Sequence, residues 1–173
     1  MQTRFPLDDT VDIGVAADEP VPMSLRIRVP SWTPGTVTID IDGRTAACGR
    51  AGTYVELSRT WKGGEVVSLR LPMALRLSRY VGTDPEGSAE HHALETGPVL
   101  MALVGAAGLP IPSDGLERAL EPRAGRPLHF AVRGHAGCRH LPYWEVQDGE
   151  FTCYPRLDPR AAREGDARPK GDS

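Results

Sequence analysis

Apolar and polar residues alternate with a period of two along much of the chain, the spacing that sends successive side chains to opposite faces of a strand. In Met23-Ser24-Leu25-Arg26-Ile27-Arg28-Val29, the residues Met23, Leu25, Ile27 and Val29 fall on one face and Ser24, Arg26 and Arg28 on the other. Pro30 follows, and because proline has no N–H to give a neighbouring strand, the ladder is predicted to end there. Val11, Ile13 and Val15 alternate in the same way, as do Val37, Ile39 and Ile41. Asp42-Gly43 comes directly after the last of these and predicts a tight hairpin turn. Residues 54–59 and 65–71 read as further strands around the turn Trp61-Lys62-Gly63-Gly64. Pro72 stops the second, and Met73, Leu75 and Leu77 resume the alternation beyond it.

The second half is less regular. Residues 81–92 read as a polar loop, and Val99-Leu100-Met101-Ala102-Leu103-Val104 is an unbroken apolar run. Such a run suits a strand covered on both faces, although period alone leaves a buried helix open. Residues 105–126 are rich in Gly and Pro, with one helical turn predicted near 116–120. Leu128, Phe130 and Val132 restart the strand pattern, and 141–146 with 151–154 read as two strands of a hairpin turning at Asp148-Gly149. Beyond Pro155 the apolar residues run out, so 156–173 is predicted to be a disordered tail. The fold class predicted is all-β: an antiparallel, jelly-roll-like β-sandwich over residues 1–155. One sandwich is the favoured reading; two small ones in tandem, divided near 82–93, is the alternative.

Composition narrows the functions. A net charge of −3 argues against a protein that binds nucleic acid by neutralising phosphates. No apolar run approaches the ~18–20 residues of a membrane span, and the first residues lack the apolar stretch of a signal peptide, so a cytoplasmic location is expected. The three cysteines, Cys48, Cys138 and Cys153, are an odd and sparse set that reads as free thiols of a reducing compartment. Cys138, His140 and Cys153 make only an incomplete zinc set, with no CxxC or HExxH beside them, so no metal or cofactor is expected in this chain.

Each candidate site has a plain structural reading beside the chemical one. Glycosidases commonly use two carboxylates ~5–10 Å apart. The pairs available are Asp8/Asp9, Asp40/Asp42, Asp84/Glu86 and the group Glu145, Asp148 and Glu150, but solvated strand faces and turns account for each. His91 and His92 fall in the polar loop, His135 stands alone, and His129 and His140 fall near neighbouring strands. No Gly-x-Ser-x-Gly elbow supports a serine triad. Trp32, Trp61 and Trp144 lie at strand ends or turns and are the candidates for sugar or interface contacts, since sugar rings pack on indole faces. Against that, Trp32 and Trp61 would serve as caps of the sandwich core, and Trp144 would pack on a neighbouring sheet or domain.

Three segments in order carry a family resemblance. The first is Leu25-Arg26-Ile27-Arg28-Val29-Pro30-Ser31-Trp32, with Ile39-Asp40-Ile41-Asp42-Gly43 and the stretch from Gly52-Thr53-Tyr54-Val55-Glu56-Leu57 to Trp61-Lys62-Gly63-Gly64-Glu65. The second is Leu69-Arg70-Leu71-Pro72-Met73-Ala74-Leu75-Arg76, then Glu95-Thr96-Gly97-Pro98-Val99-Leu100. The third is Leu141-Pro142-Tyr143-Trp144-Glu145-Val146 with Phe151-Thr152-Cys153-Tyr154. Together, over residues 1 to about 155, they resemble the C-terminal β-sandwich region of the non-reducing-end β-L-arabinofuranosidase family, glycoside hydrolase family 127. The resemblance implies a catalytic α/α barrel N-terminal to these segments, where a zinc-held cysteine thiolate is the nucleophile and a glutamate the acid/base. None of those positions falls in the matching segments, so no catalytic residue and no zinc ligand carries over.

The implied role is therefore a non-catalytic accessory portion that braces a barrel absent from this chain, which would be a fragment, a split frame or a remnant. The expected partners are the α/α-barrel domain of a parent enzyme or a second subunit, and carbohydrate, with neither nucleic acid nor membrane. The alternative is a free-standing carbohydrate-binding module. A compact enzyme using an unrecognised carboxylate pair is the least supported reading.

Overall fold

The computed structural model describes residues 2–80, 91–147 and 149–157. The chain is all-β and divides between Ala74 and Leu75 into two compact units.

The first unit contains β1 (Gln2–Thr3), β2 (Thr10–Gly14), β3 (Val21–Arg28), β4 (Thr36–Ile41), β5 (Arg44–Arg50), β6 (Tyr54–Trp61) and β7 (Val66–Arg70). Five of them form an antiparallel sheet in the order β1-β2-β7-β4-β5, and β3 and β6 pair as a separate antiparallel ribbon. The predicted alternation is what joins them. Val37, Ile39 and Ile41 of β4 and Val67 and Leu69 of β7 meet Ile27 of β3 and Val55, Leu57 and Trp61 of β6 in one core. Each such aliphatic side chain contributes on the order of 1.5–3 kcal/mol on full burial. The Asp42-Gly43 turn forms as predicted, with φ of 51° and 75° at its two central residues, the left-handed pair a two-residue hairpin needs. Asp42 is also tied to β7, because its N–H donates to Val66 O and its Oδ1 accepts from Val66 N–H, both at 2.9 Å.

The second unit contains β8 (Leu75–Tyr80), β9 (His91–Thr96), β10 (Val99–Val104), β11 (Gly108–Leu109), α1 (Ser113–Ala119), β12 (Leu120–Pro122), β13 (Phe130–Val132), β14 (Arg139–Pro142), a single 3-10 turn (Tyr143–Glu145), β15 (Phe151–Thr152) and β16 (Arg156–Leu157). They build a curled sheet in the order β11-β16-β9-β10-β14-β13-β12, with β8 added to β9 and β15 to β10. Only the short β11–β16 pair is parallel among the described strands. The apolar run is the buried central strand β10, as expected. Its Val99, Met101 and Leu103 share a core with Leu94, Leu109, Leu116 of α1, Val132 and Leu157.

Several expectations are corrected. The strand beginning near 141 ends at Pro142, whose missing N–H stops the ladder, and residues 143–145 turn into a 3-10 helix. No hairpin joins β14 to β15. Both flank β10 instead, with Leu103 opposite His140 on one side and Thr152 on the other. The helical turn is α1, which starts at Ser113, earlier than expected, and is anchored by buried Leu116. His91 and His92 open β9 rather than close a loop, and His92 is buried. Arg156 and Leu157, expected in the tail, form β16. The loop at 81–90 and the rest of the tail, 158–173, lie outside the described residues.

Candidate functional site

Strand pleating gives the second sheet two chemically different faces. Directly paired residues point the same way, so Leu103, His140 and Phe130 share the core face. Val104, Arg139 and Leu141 belong to the opposite face. There they line a cleft of about 400 Å³ together with Arg126, His129 and Glu145. Val146 and Gln147 close its rim. Val104 and Leu141 are each only 6% exposed, so the surface of the cleft is mainly polar.

His129 holds the wall together. Its side chain is almost wholly buried, its Nδ1 lies 2.9 Å from the Pro127 carbonyl, and its Nε2 lies 3.2 Å from Glu145 Oε2. A carbonyl oxygen only accepts, so Nδ1 donates to it and Nε2 is left facing the carboxylate. The ring thus stands between the segment before β13 and the 3-10 turn after β14. Arg126 and Arg139 are exposed and carry no ion pair among the described residues, unlike Arg76, 2.9 Å from Glu95, and Arg133, 2.7 Å from Glu121.

The three tryptophans have different fates. Trp61 is fully buried in the first unit, with Nε1 donating to Met23 O at 2.9 Å and the Arg59 guanidinium over its ring. It has no free face for a sugar or a partner, so it leaves the set of candidate contacts and stands as a core residue. Trp32 is half-buried beside the same core and stacks on Phe5 with ring centres 5.8 Å apart. Trp144 is 48% exposed, edge-on to Tyr143, and is the one tryptophan on an element that lines the cleft.

Among the described residues the candidate carboxylates do not assemble into a pair within a cleft. Asp9 accepts from Arg70 at 2.7 Å, and Asp8 from Arg4, a bond that holds the Asp8 carboxyl below the usual range. Asp42 belongs to its turn, and Glu145 faces His129. Asp84, Glu86 and Asp148 lie outside the described residues. His129 and His140 are on neighbouring segments as expected, yet on opposite faces of the sheet: His129 lines the cleft and His140 is enclosed by the core. Arg126, Arg139 and Gln147 escape sequence reasoning, because no spacing marks them until the end of β14 is known.

All three cysteines are free; Cys48 is exposed while Cys138 and Cys153 are half-buried, and burial pushes the Cys153 thiol up. Among the described residues no three His, Cys, Asp or Glu side chains converge as a metal set. No helix among them is long and apolar enough to cross a membrane.

Comparison with known proteins agrees with this architecture. Residues 1–73 match the family model described as the β-L-arabinofuranosidase, GH127 middle domain. No curated protein matches. Among solved structures, a GH127 β-L-arabinofuranosidase from Geobacillus stearothermophilus T6 superposes with a TM-score of 0.64 at 21% identity, over 91% of this chain and 30% of that one. A protein described as a glycoside hydrolase gives 0.64 at 20% identity, over 91% and 32%. A GH127 β-arabinofuranosidase, BT3674, gives 0.62 at 14% identity, over 92% and 31%. The chain thus spans about a third of the length of these enzymes, and at such identities the likeness shows the shared fold. Residues 1–73, in the first unit, are therefore similar to the domain described as the GH127 middle domain, and the chain as a whole shares its fold with part of these larger enzymes.

Proposed function

We propose that the chain is the non-catalytic accessory portion of a β-L-arabinofuranosidase-like glycoside hydrolase and braces a catalytic α/α barrel. The observation that carries this reading is the disproportion of coverage: nine-tenths of this chain superposes on less than a third of a GH127 enzyme. Two further features support it. Among the described residues the cleft is lined by one carboxylate, Glu145, which already faces His129, whereas glycoside hydrolysis calls for two catalytic groups flanking the bond. The second unit also leaves Tyr80, Tyr143, Trp144, Phe151 and Tyr154 about half exposed, the residue types that covered interfaces favour. The free thiols suit a reducing cytoplasm, where we place the protein.

The test joins the chain to its genomic neighbour. The DNA upstream of the first codon is read for a frame encoding a helical barrel, and that barrel is produced with and without this chain. Turnover of an aryl β-L-arabinofuranoside and the melting temperature of the barrel are then measured. The chain alone is expected to give no turnover above the blank, and the barrel to melt higher when the chain is present. Turnover by the chain alone, a barrel indifferent to it, or an upstream region with no such frame would each overturn the reading.

A further inference from the structure

The cleft of the second unit gathers cationic donors that the fold leaves uncompensated, and we propose that it binds an acidic sugar, with the carboxylate of a uronate residue held by Arg126 and Arg139. Each guanidinium presents a planar fork of N–H donors matched to a carboxylate. In the same unit Arg76 and Arg133 spend that fork on Glu95 and Glu121, but Arg126 and Arg139 have no such partner among the described residues. Both line one cleft, which places the two cations around a shared space.

The rest of the lining selects a sugar over a bare anion. Glu145 turns Oε2 to His129, while Oε1 has no partner among the described residues. A free carboxylate oxygen accepts hydroxyl donors, which a sugar ring carries and a sulfate lacks, and the Gln147 amide supplies both a donor and an acceptor. Val104 and Leu141 are almost wholly buried, so the exposed lining is mainly polar, which suits a ligand rich in hydroxyls. The cavity, about 400 Å³, lies within the ~300–1,000 Å³ of small-molecule sites. Buried His129, held by its bond to Pro127, forms a fixed part of the wall and stands 3.2 Å from Glu145 Oε2. The residues invoked all belong to this chain, so the test below reads separately from that of the bracing role.

The test titrates the 173-residue chain with sodium D-glucuronate and sodium D-galacturonate, followed by calorimetry and by amide chemical shifts, with D-glucose, L-arabinose and sodium sulfate as controls. Saturable binding is expected for at least one uronate, at affinities about tenfold or more above sulfate and the neutral sugars. Arg126→Gln and Arg139→Gln are each expected to weaken it about tenfold, and Arg139→Lys to recover part of the loss because charge returns without the fork. Both side chains are exposed, so unchanged melting temperatures show that these variants fold. Absence of saturation at ~10 mM of either uronate, equal binding of sulfate or of a neutral sugar, or variants that bind like the parent would each overturn the proposal.

Discussion

His140 makes folding of the second unit sensitive to acid. Its side chain is fully enclosed on the core face of β14, and neither ring nitrogen has a hydrogen-bond partner among the described residues. Burial disfavours the charged ring and lowers its pKa from an ordinary 6.5 to about 4. Below pH 6.5 the unfolded chain takes up a proton that the folded chain refuses, so stability is complete above that value and falls as the pH drops towards 4. Below about 4 both states are protonated and the loss is constant. A tenfold difference in proton affinity between the two states corresponds to about 1.4 kcal/mol, so the depressed affinity of this ring amounts to about 3 kcal/mol, a large part of the stability of a small domain. The assay is native-state hydrogen exchange at the amides of β10 and β14 between about pH 7.5 and 4, with His140→Leu alongside the parent. These amides report the second unit alone, which matters because a chain of two units need not unfold in one step. The parent is expected to lose about 3 kcal/mol more than the variant over that interval, since carboxylates titrating elsewhere cancel in the difference. At neutral pH and above the variant is expected to be at least as stable, because it removes two unsatisfied buried atoms worth ~1–3 kcal/mol. Parallel acid limbs for the two proteins, or a His140 ring that titrates near its ordinary value in the folded state, would refute the reasoning.

Two further predictions concern packing. Trp61→Ala is expected to cost about 3–5 kcal/mol by emptying a core site, whereas Trp144→Ala at an exposed turn changes stability by less than ~1 kcal/mol; urea unfolding of the two variants checks the contrast. Gly49→Ala is expected to cost ~1–3 kcal/mol, because a Cβ there would collide with Val55 Cγ2 and lie 2.6 Å from Val29 Cγ2, while Gly14→Ala, with nothing within 4 Å, serves as the control in the same thermal melts.

The elements legible in the sequence are those whose burial is one-sided and local. Val37, Ile39 and Ile41 declare β4, and Val55 and Leu57 declare β6, because each strand writes its core face into alternate residues. β5 is silent. Arg44-Thr45-Ala46-Ala47-Cys48-Gly49-Arg50 has no apolar alternation, since as the edge of its sheet it is held by the β4 ladder more than by side chains. The pairing of β15 with β10 is equally silent, because two residues carry no periodicity and the partner is chosen by long-range register. In sequence His140 resembles a ligand, and in the fold it is a buried, unpartnered ring; nothing in the one-dimensional pattern separates those roles.

The cleft depends on the same register that builds the core. Along β10, Leu103 enters the core and Val104 the cleft; along β14, His140 enters the core while Arg139 and Leu141 line the cleft. A slip of one residue between these strands would turn a guanidinium towards Met101 and Leu103 and withdraw it from the site. Burying that unpaired charge is far costlier than burying a neutral imidazole, so the leucine-rich face excludes the slipped register. The core therefore selects the arrangement in which Arg139 and the His129–Glu145 pair line one cleft. For that reason the binding geometry should survive exchange of the core aliphatics for others of similar volume, and fail when Pro142 no longer ends β14.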